Sequence, residues 1–274
     1  MAAMLKPRGA RLGATPLFLL IEMLVSLSSW AEDPRGASSV FGPGEQLLYE
    51  VSYFGMVAGS VRVTVGAETK QSQWSVWPIV MLAQSNALFG FYPVRDRFVT
   101  YWDFAAQRTV GNDLFLDENH RRSLQRIRLD HRSKLATISK QREGGAEVLS
   151  TLPIETGALD MGAAAFAIRN RALSVGTAVE FTIFTGKKTF VLKVMVESEL
   201  LIHMPQGDEK AFKTRVQTQF NDKFASKRDM IVYFSVSRGH RPLKVEAEIA
   251  LGTVTGTLID YKEGRVAADS SFGS

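Results

Sequence analysis

The amino-acid sequence predicts a mainly β protein: a curved antiparallel sheet of about twelve strands forming a sandwich or a full or half barrel, with one helix. Two observations predict the strands. Many short segments alternate apolar and polar residues with a period of two, and Gly, Asn, Asp or Pro residues separate these segments at short intervals. A third observation, one Ala-rich segment with helical spacing, predicts the helix.

The C-terminal stretch from Asp229 to Tyr261 carries the clearest strand pattern. Between Leu243 and Ile249 every second residue is apolar and the residues between them are charged, which is typical of a strand with one face in the core. A β-branched and aromatic run (230–234) precedes this strand, and a Thr- and Val-rich run (253–261) follows it. The three runs predict an antiparallel meander.

The other strands are predicted from the same alternation, taken in chain order. They cover residues 47–53, 60–65, 74–85, 95–103, 109–117, 123–130, 134–140, 179–183, 190–196 and 211–220. The aromatic segment 86–94 has neither the strand nor the helix period, so it is predicted to be a loop or a short helix.

The single predicted helix runs from Ala158 to Arg171. Its segment is rich in Ala, and four residues share one face at helical spacing: Leu159, Ala163, Phe166 and Asn170. Either Thr156 or Gly157 is the expected cap at its start.

The N-terminal 31 residues are predicted to be a secretory signal peptide. A basic start is followed by an apolar run from Leu17 to Leu27 and a small residue, Ala31. The alternative is an uncleaved segment that anchors the chain in the inner membrane, although this run is shorter than the ~20 residues of a spanning helix. The first interpretation predicts a periplasmic protein with no transmembrane span after cleavage.

The rest of the chain is predicted to form one domain. A flexible lead-in occupies residues 32–44, a single β-rich domain residues 45–262, and a flexible tail residues 263–274. Without residues 1–31, the chain keeps 30 basic and 27 acidic side chains, a net charge of +3. This charge is too mild to predict a nucleic-acid partner.

Three segments in this order resemble bacterial exported proteins of the family called domain of unknown function 3108. They are the opening Gly44–Val65, the central Ala158–Thr177 and the closing Arg228–Leu258. The resemblance implies an exported envelope protein with a curved, mainly antiparallel β fold. It implies no activity and no functional residue.

The sequence offers no recognisable catalytic, cofactor or metal site. It lacks cysteine, a Gly-x-Ser-x-Gly elbow and a Ser-x-x-Lys motif, and Gly186-Lys187-Lys188 lacks the earlier glycine of a phosphate loop. The four histidines are scattered, and His120, which follows Asp117 and Glu118, fits a polar turn better than a metal site. We therefore predict a protein that is not an enzyme and needs no cofactor, with an unrecognised hydrolase as one alternative.

Two groups of residues are candidate ligand contacts. Arg122, Arg126 and Arg128 share one strand face, where they could meet phosphates of a lipid or an envelope polymer; the alternative is a solvated outer face. Six aromatic residues could instead line a cavity for an acyl chain, with ordinary core packing as their alternative. They are Trp74, Trp77, Phe89, Phe91, Tyr92 and Trp102.

These observations predict a non-enzymatic binding module for a lipid-like or envelope-derived ligand. The alternative is an interaction or scaffolding protein of cell-envelope assembly, which would have an envelope protein as its partner and no small-molecule pocket.

Overall fold

The structure is a computed structural model that describes residues 39–86, 92–220, 223–224, 230–237, 239–249 and 252–265. The predicted signal peptide (1–31) and most of the predicted tail (263–274) lie outside the described residues, as does part of the 86–94 segment.

Sixteen strands and one helix make up the described fold. The strands are β1 Gln46–Tyr53, β2 Met56–Val65, β3 Thr69–Gln71, β4 Trp74–Ser85, β5 Arg95–Asp103, β6 Arg108–Glu118, β7 Arg121–Asp130, β8 Leu135–Arg142, β9 Val148–Pro153, β10 Ala178–Phe184, β11 Thr189–Met204, β12 Gly207–Phe220, β13 Lys223–Phe224, β14 Met230–Ser235, β15 Pro242–Ile249 and β16 Gly252–Lys262. The helix α1 covers Met161–Ala167 and continues into a 3₁₀ turn, Ile168–Asn170.

All strands belong to one antiparallel sheet, which confirms the predicted fold class. Its order is β10-β11-β12-β14-β15-β16-β1-β2-β4-β5-β6-β7-β8-β9, with β13 on β12 and β3 on β4. Because β16 pairs with β1, the C-terminal meander continues directly into the first hairpin of the domain. The sequence yielded fewer strands because β3 and β13 are only three and two residues long, too short for a periodic signal, and because the six residues of β9 do not alternate between apolar and polar.

The two ends of the sheet, β9 and β10, are joined by extended chain rather than by direct pairing. The Leu159 amide donates to Thr182 O (2.8 Å) and the Phe184 amide donates to Leu159 O (2.8 Å), so this linking segment runs beside β10. Close to β9, the Ile154 amide donates to Lys134 O at 2.9 Å. The sheet is therefore a curved half barrel whose gap is partly bridged by the segment that leads to the helix.

A helix is present where the sequence predicted one, but its start is corrected from Ala158 to Met161. Leu159 is held in an extended conformation by β10, which overrides the helical propensity of its neighbours. Asp160 is the actual N-cap, in place of the predicted Thr156 or Gly157. Its carboxylate accepts a hydrogen bond from the Ala163 amide at 2.8 Å.

The helix lies on the concave side of the sheet and packs against β5, β6 and β10. An aromatic cluster closes the core on one side of it: Phe41 is 1% exposed and its ring lies 4.8 Å from Phe166, 6.1 Å from Trp102 and 6.2 Å from Trp77. The end of the segment predicted as a flexible lead-in therefore packs into the domain at Phe41.

The strand faces follow the predicted alternation. In β15, Leu243 and Ala247 are buried, whereas Glu248 is exposed. Among the described residues, no helix is both long enough and apolar enough to span a membrane.

Candidate functional site

A cavity of about 300 Å³ lies between the concave face of the sheet and α1. Its wall consists almost entirely of apolar side chains on the inward-facing positions of the strands. Examples are Val63, Met81, Val194, Val216, Val232 and Phe234. Because side chains alternate between the faces of a strand, a curved sheet directs one apolar row from each strand into this space.

One face of the helix forms the floor of the cavity. Met161, Ala164, Ala165 and Ile168 line it at spacings of three and four residues. The two alanines carry only a methyl group, so this helix face leaves space that larger residues would fill. Ala165 remains exposed even though it points to the concave side, because it borders the cavity.

A buried ion pair holds the far end of this floor in place. Arg169 and Glu45 are both almost fully buried, and two guanidinium nitrogens donate to the two carboxylate oxygens at 2.8 and 2.7 Å. Arg169 Nε also donates to Gly239 O at 2.8 Å, and Tyr261 Oη donates to Glu45 Oε1 at 3.0 Å. Burial, together with the Glu45 carboxylate, raises the pKa of Tyr261 to about 12.

The near end of the floor is held by Asp160. Its carboxylate accepts hydrogen bonds from the hydroxyls of Thr100 and Thr109, in addition to the Ala163 amide. Burial raises the pKa of Asp160, and these hydrogen bonds act in the opposite direction. The sequence did not indicate Asp160 and Glu45 as site residues, because their partners lie far away in the chain. The one signal available was the position of Asp160 directly before the Ala-rich run, where an N-cap is expected.

The β1–β2 and β6–β7 turns lie at one end of the sheet, which we call the upper end. Lining residues near this end, such as Ala83 and Met230, are partly exposed, whereas Leu47 and Phe234 at the opposite end are buried.

One carboxyl group, Asp96, lies at the upper end of the cavity lining. Burial raises the pKa of Asp96 to about 7, and the neighbouring carboxyl groups of Glu118 and Asp117 act in the same direction. The Asp117 amide donates to Asp96 Oδ1 at 3.0 Å and partly opposes this effect. Near neutral pH this carboxyl group therefore changes its charge.

The raised pKa makes a prediction about stability. Because folded Asp96 keeps its proton to a higher pH than the unfolded chain, its contribution to stability is present at low pH and is lost as the pH approaches about 7. Urea unfolding of the wild type and of Asp96→Asn from about pH 4 to about pH 8 should show the wild type losing stability relative to the variant. Asn keeps the acceptor for the Asp117 amide, so it serves as a matched neutral control. Parallel pH profiles for the two proteins would contradict the assignment.

Next to the apolar cavity lies a second one of about 310 Å³, whose lining combines apolar and polar side chains. Phe98, Leu114 and Met161 line both cavities, so the two lie side by side. The second cavity is bordered by β6, β7 and β8 on one side and by the β10–β11 turn on the other. Its polar lining residues include Gln125, Gln141, Lys140, Arg142 and Lys187.

The described members of the predicted aromatic lining do not border the apolar cavity. Trp77 and Trp102 belong to the packed core, as their alternative interpretation proposed, and do not border the cavity. Trp74, with the Arg108 guanidinium 4.7 Å from its ring centroid, and Tyr92 do not line it either. Phe89 and Phe91 lie outside the described residues. The cavity is mainly aliphatic, and its lining residues are spread across most of the domain.

The three arginines share the outer face of β7, as the alternation predicted. Arg128 Nη1 lies 2.6 Å from Asp113 Oδ1, and Arg122 Nε lies 3.3 Å from Asp117 Oδ2. Arg126 is exposed and stands opposite Asp113 in the β6–β7 pairing. Because carboxylates of β6 accompany the row, its charge is mixed, which favours the solvated outer face over an anion-binding row.

Three of the four histidines make local hydrogen bonds, and His120 lies in the turn between β6 and β7 at φ 61°. His131 Nε2 bonds Thr109 O (2.7 Å), His203 Nδ1 bonds Asp208 (2.8 Å) and His240 Nδ1 bonds Ser235 O (3.0 Å). Within the described ranges, no group of three or more His, Asp or Glu residues is arranged to hold a metal ion.

The fold and the cavity together define a class: a curved β half barrel that carries a short internal helix and encloses an apolar cavity. Within this class, the chain belongs to the family described as "Protein of unknown function (DUF3108)", whose model matches residues 48–259. No curated protein gives a significant match to the chain.

A solved structure supports the fold. The chain is similar to a β-barrel-like protein of domain of unknown function DUF1849 from Brucella abortus, with a TM-score of 0.53 and 10% identity. That match covers 82% of this chain and 99% of the other. A protein with a YmcC-like fold from Bacteroides fragilis, whose name proposes that it is exported, matches with a TM-score of 0.29 and 10% identity over 82% of this chain and 100% of its own. At this identity the Brucella protein supports the fold alone, and the second similarity carries no structural argument.

Proposed function

We propose that this protein is a non-enzymatic binding protein whose apolar cavity holds the hydrocarbon chain of a lipid-like ligand. The single observation that carries the proposal is the aliphatic cavity of about 300 Å³ above α1. Its volume is at the lower end of the range of about 300–1,000 Å³ that is common for ligand sites, which fits one chain better than several.

The construction of the floor supports a preformed site. Asp160 fixes the start of α1 to β5 and β6, and Arg169 fixes its end to the residue before β1. Both anchors are buried, so the small-residue face of the helix is held away from the opposite wall. A site that is already formed needs less ordering when a ligand binds.

The proposal predicts that filling the cavity prevents binding. Ala83 lines the cavity from β4, and Leu82 beside it is 44% exposed on the outer face. Ala83→Trp should weaken the binding of the neutral fluorescent probe N-phenyl-1-naphthylamine by about tenfold or more, because the indole occupies the space of the probe. Leu82→Trp introduces the same side chain on the outer face and should leave binding unchanged.

Circular dichroism and thermal unfolding of both variants would show that they are folded. A second cavity-filling change on the helix, Ala165→Leu, should weaken probe binding without altering the sheet. Equal probe binding by the wild type, Ala83→Trp and Ala165→Leu would overturn the proposed function.

A second candidate is an interaction protein of envelope assembly, and one surface favours it. β9 ends the sheet, and its Val148 and Leu149 are 63% and 67% exposed, so this edge could pair with a strand of another protein. Native mass spectrometry of protein from a periplasmic extract separates the candidates. A co-purified lipid supports the first, whereas ligand-free protein in a complex with another protein supports the second.

We also propose that the chain is exported and works in the periplasm, with an anchor in the inner membrane as the alternative. The signal-peptide pattern of residues 1–31 supports this location. Mass determination of the protein from that same extract tests it, since cleavage predicts a chain that begins at Glu32.

A further inference from the structure

We infer that the ligand is an amphiphile with an anionic head group, which binds at Lys140, Arg142 and Lys187 in the second cavity while its chain lies above α1. The inference rests on the proposed function, because it assigns the part of the ligand that the apolar cavity does not hold. It concerns the second cavity and is independent of the arginines on the outer face of β7.

The positions of the two cavities indicate that the ligand is an amphiphile. The apolar cavity and the second cavity, whose lining also carries polar and basic side chains, lie side by side and share Phe98, Leu114 and Met161 as lining residues. A ligand that filled both would need a hydrocarbon part and a polar part separated by little more than the thickness of these side chains. That division is the defining property of a single-chain amphiphile.

The charges that line the second cavity indicate an anionic head group. Lys140, Arg142 and Lys187 border it, and Asp160 is the one acidic residue among its lining residues. The Asp160 carboxylate is occupied by the Thr100 and Thr109 hydroxyls and by the start of the helix. It therefore faces its own hydrogen-bond donors rather than the three cations, and the cavity is positive overall.

The basic groups come from two separate parts of the fold that are held against each other. Lys140 and Arg142 belong to β8, and Lys187 to the β10–β11 turn. Gly186, at φ 77°, lies so close to β7 that a Cβ at this position would be 2.7 Å from Ile127 Cδ1. In addition, Lys140 Nζ lies 3.4 Å from Gly186 O. This contact fixes the turn beside β8, so that cations converge on the cavity from both sides.

Arg142 and Lys187 have the strongest case as ligand contacts. Both side chains are exposed, and neither has an ion pair with any residue in the described part of the chain. A carboxylate or a phosphate would receive charge-assisted hydrogen bonds from them, and a guanidinium can donate two parallel ones. A neutral head group would gain less and a cationic one would be repelled, so the cavity selects an anion.

Competition with N-phenyl-1-naphthylamine tests the inference with four ligands of one chain length: dodecanoate, dodecyl phosphate, dodecanol and dodecyltrimethylammonium. The wild type should bind at least one of the two anions about tenfold more tightly than dodecanol, and the cation most weakly. The tighter anion distinguishes a fatty acid from a phosphate ester. Inorganic phosphate alone should not displace the probe, because it lacks the chain.

Variants without the basic side chains test which residues bind the head group. Arg142→Gln combined with Lys187→Gln should remove most of the preference for anions, since only Lys140 remains, and should leave dodecanol binding unchanged. Arg62→Gln combined with Arg132→Gln removes the same charge from exposed positions outside the cavity and should keep the preference. Loss of the preference in this control as well would overturn the inference, since it would reflect net charge rather than a site.

The two proposals fail in different ways. Equal affinity of the wild type for dodecanol and for both anions would overturn the anionic head-group site and leave the apolar cavity as a binding site. If none of the four ligands bound to the folded wild type and the probe itself did not bind, the proposed function would fail.

Discussion

Replacing Arg169 with Met is expected to lower the free energy of unfolding by about 3–5 kcal/mol, because it leaves the Glu45 carboxylate buried without its cation. The side chains of both residues are only 1% exposed, so water cannot replace the lost partner. The change also removes the hydrogen bond to Gly239 O and the contacts of the guanidinium with the rings of Phe41 and Phe166, each 5.2 Å from the ring centroid. Urea unfolding followed by far-UV circular dichroism measures the loss.

Two further variants control this prediction. Lys210→Met removes one member of an exposed pair, in which Lys210 Nζ lies 3.7 Å from Glu199 Oε1, and should cost less than about 1 kcal/mol. Combining Arg169→Met with Glu45→Gln should recover part of the stability, because the double variant no longer buries an unpaired charge. If Arg169→Met cost no more than Lys210→Met, the ion pair would not be an anchor of the helix.

Trp102→Ala is the second large expected effect, a loss of about 3–5 kcal/mol of unfolding free energy. Trp102 on β5 is 0% exposed and packs against Phe41 in the aromatic cluster, so truncation leaves a void that its neighbours cannot fill completely. Thermal and urea unfolding measure the change.

The same variant separates core packing from ligand contact. Because Trp102 does not line the apolar cavity, Trp102→Ala should keep its affinity for N-phenyl-1-naphthylamine under conditions where it is folded. Trp74→Ala, at a partly exposed position beside Arg108, should cost much less, about 1 kcal/mol. A specific loss of probe binding in Trp102→Ala with normal stability would restore the predicted aromatic lining.

The strands were predictable because each of them carries its own signal. The alternation in β15 and the arginine face of β7 depend only on the period of two, and both faces lie as expected in the structure. The class of fold followed from the number and spacing of such segments. The resemblance to the DUF3108 family rested on the same segments and was confirmed over residues 48–259.

The helix was predictable in its existence but not in its bounds. Ala-rich composition favoured a start at Ala158, whereas hydrogen bonds from β10 keep Leu159 extended and move the start beyond Asp160. Local propensity is worth only a fraction of a kcal/mol per residue, so pairing with a distant strand outweighs it.

The sequence by itself determined which residues face inward and the absence of cysteine chemistry, because these properties depend on residue type and on neighbours in the chain. Only the tertiary structure decided where the cavity lies and what lines it. Its aliphatic wall combines strands from β1 to β16, Glu45 meets Arg169 across 124 positions, and Lys187 reaches the cavity from a different part of the chain than Arg142. The physical reason is that the curvature of the sheet and the order of its strands bring these residues together, and the alternation of residues within a single strand determines neither of them.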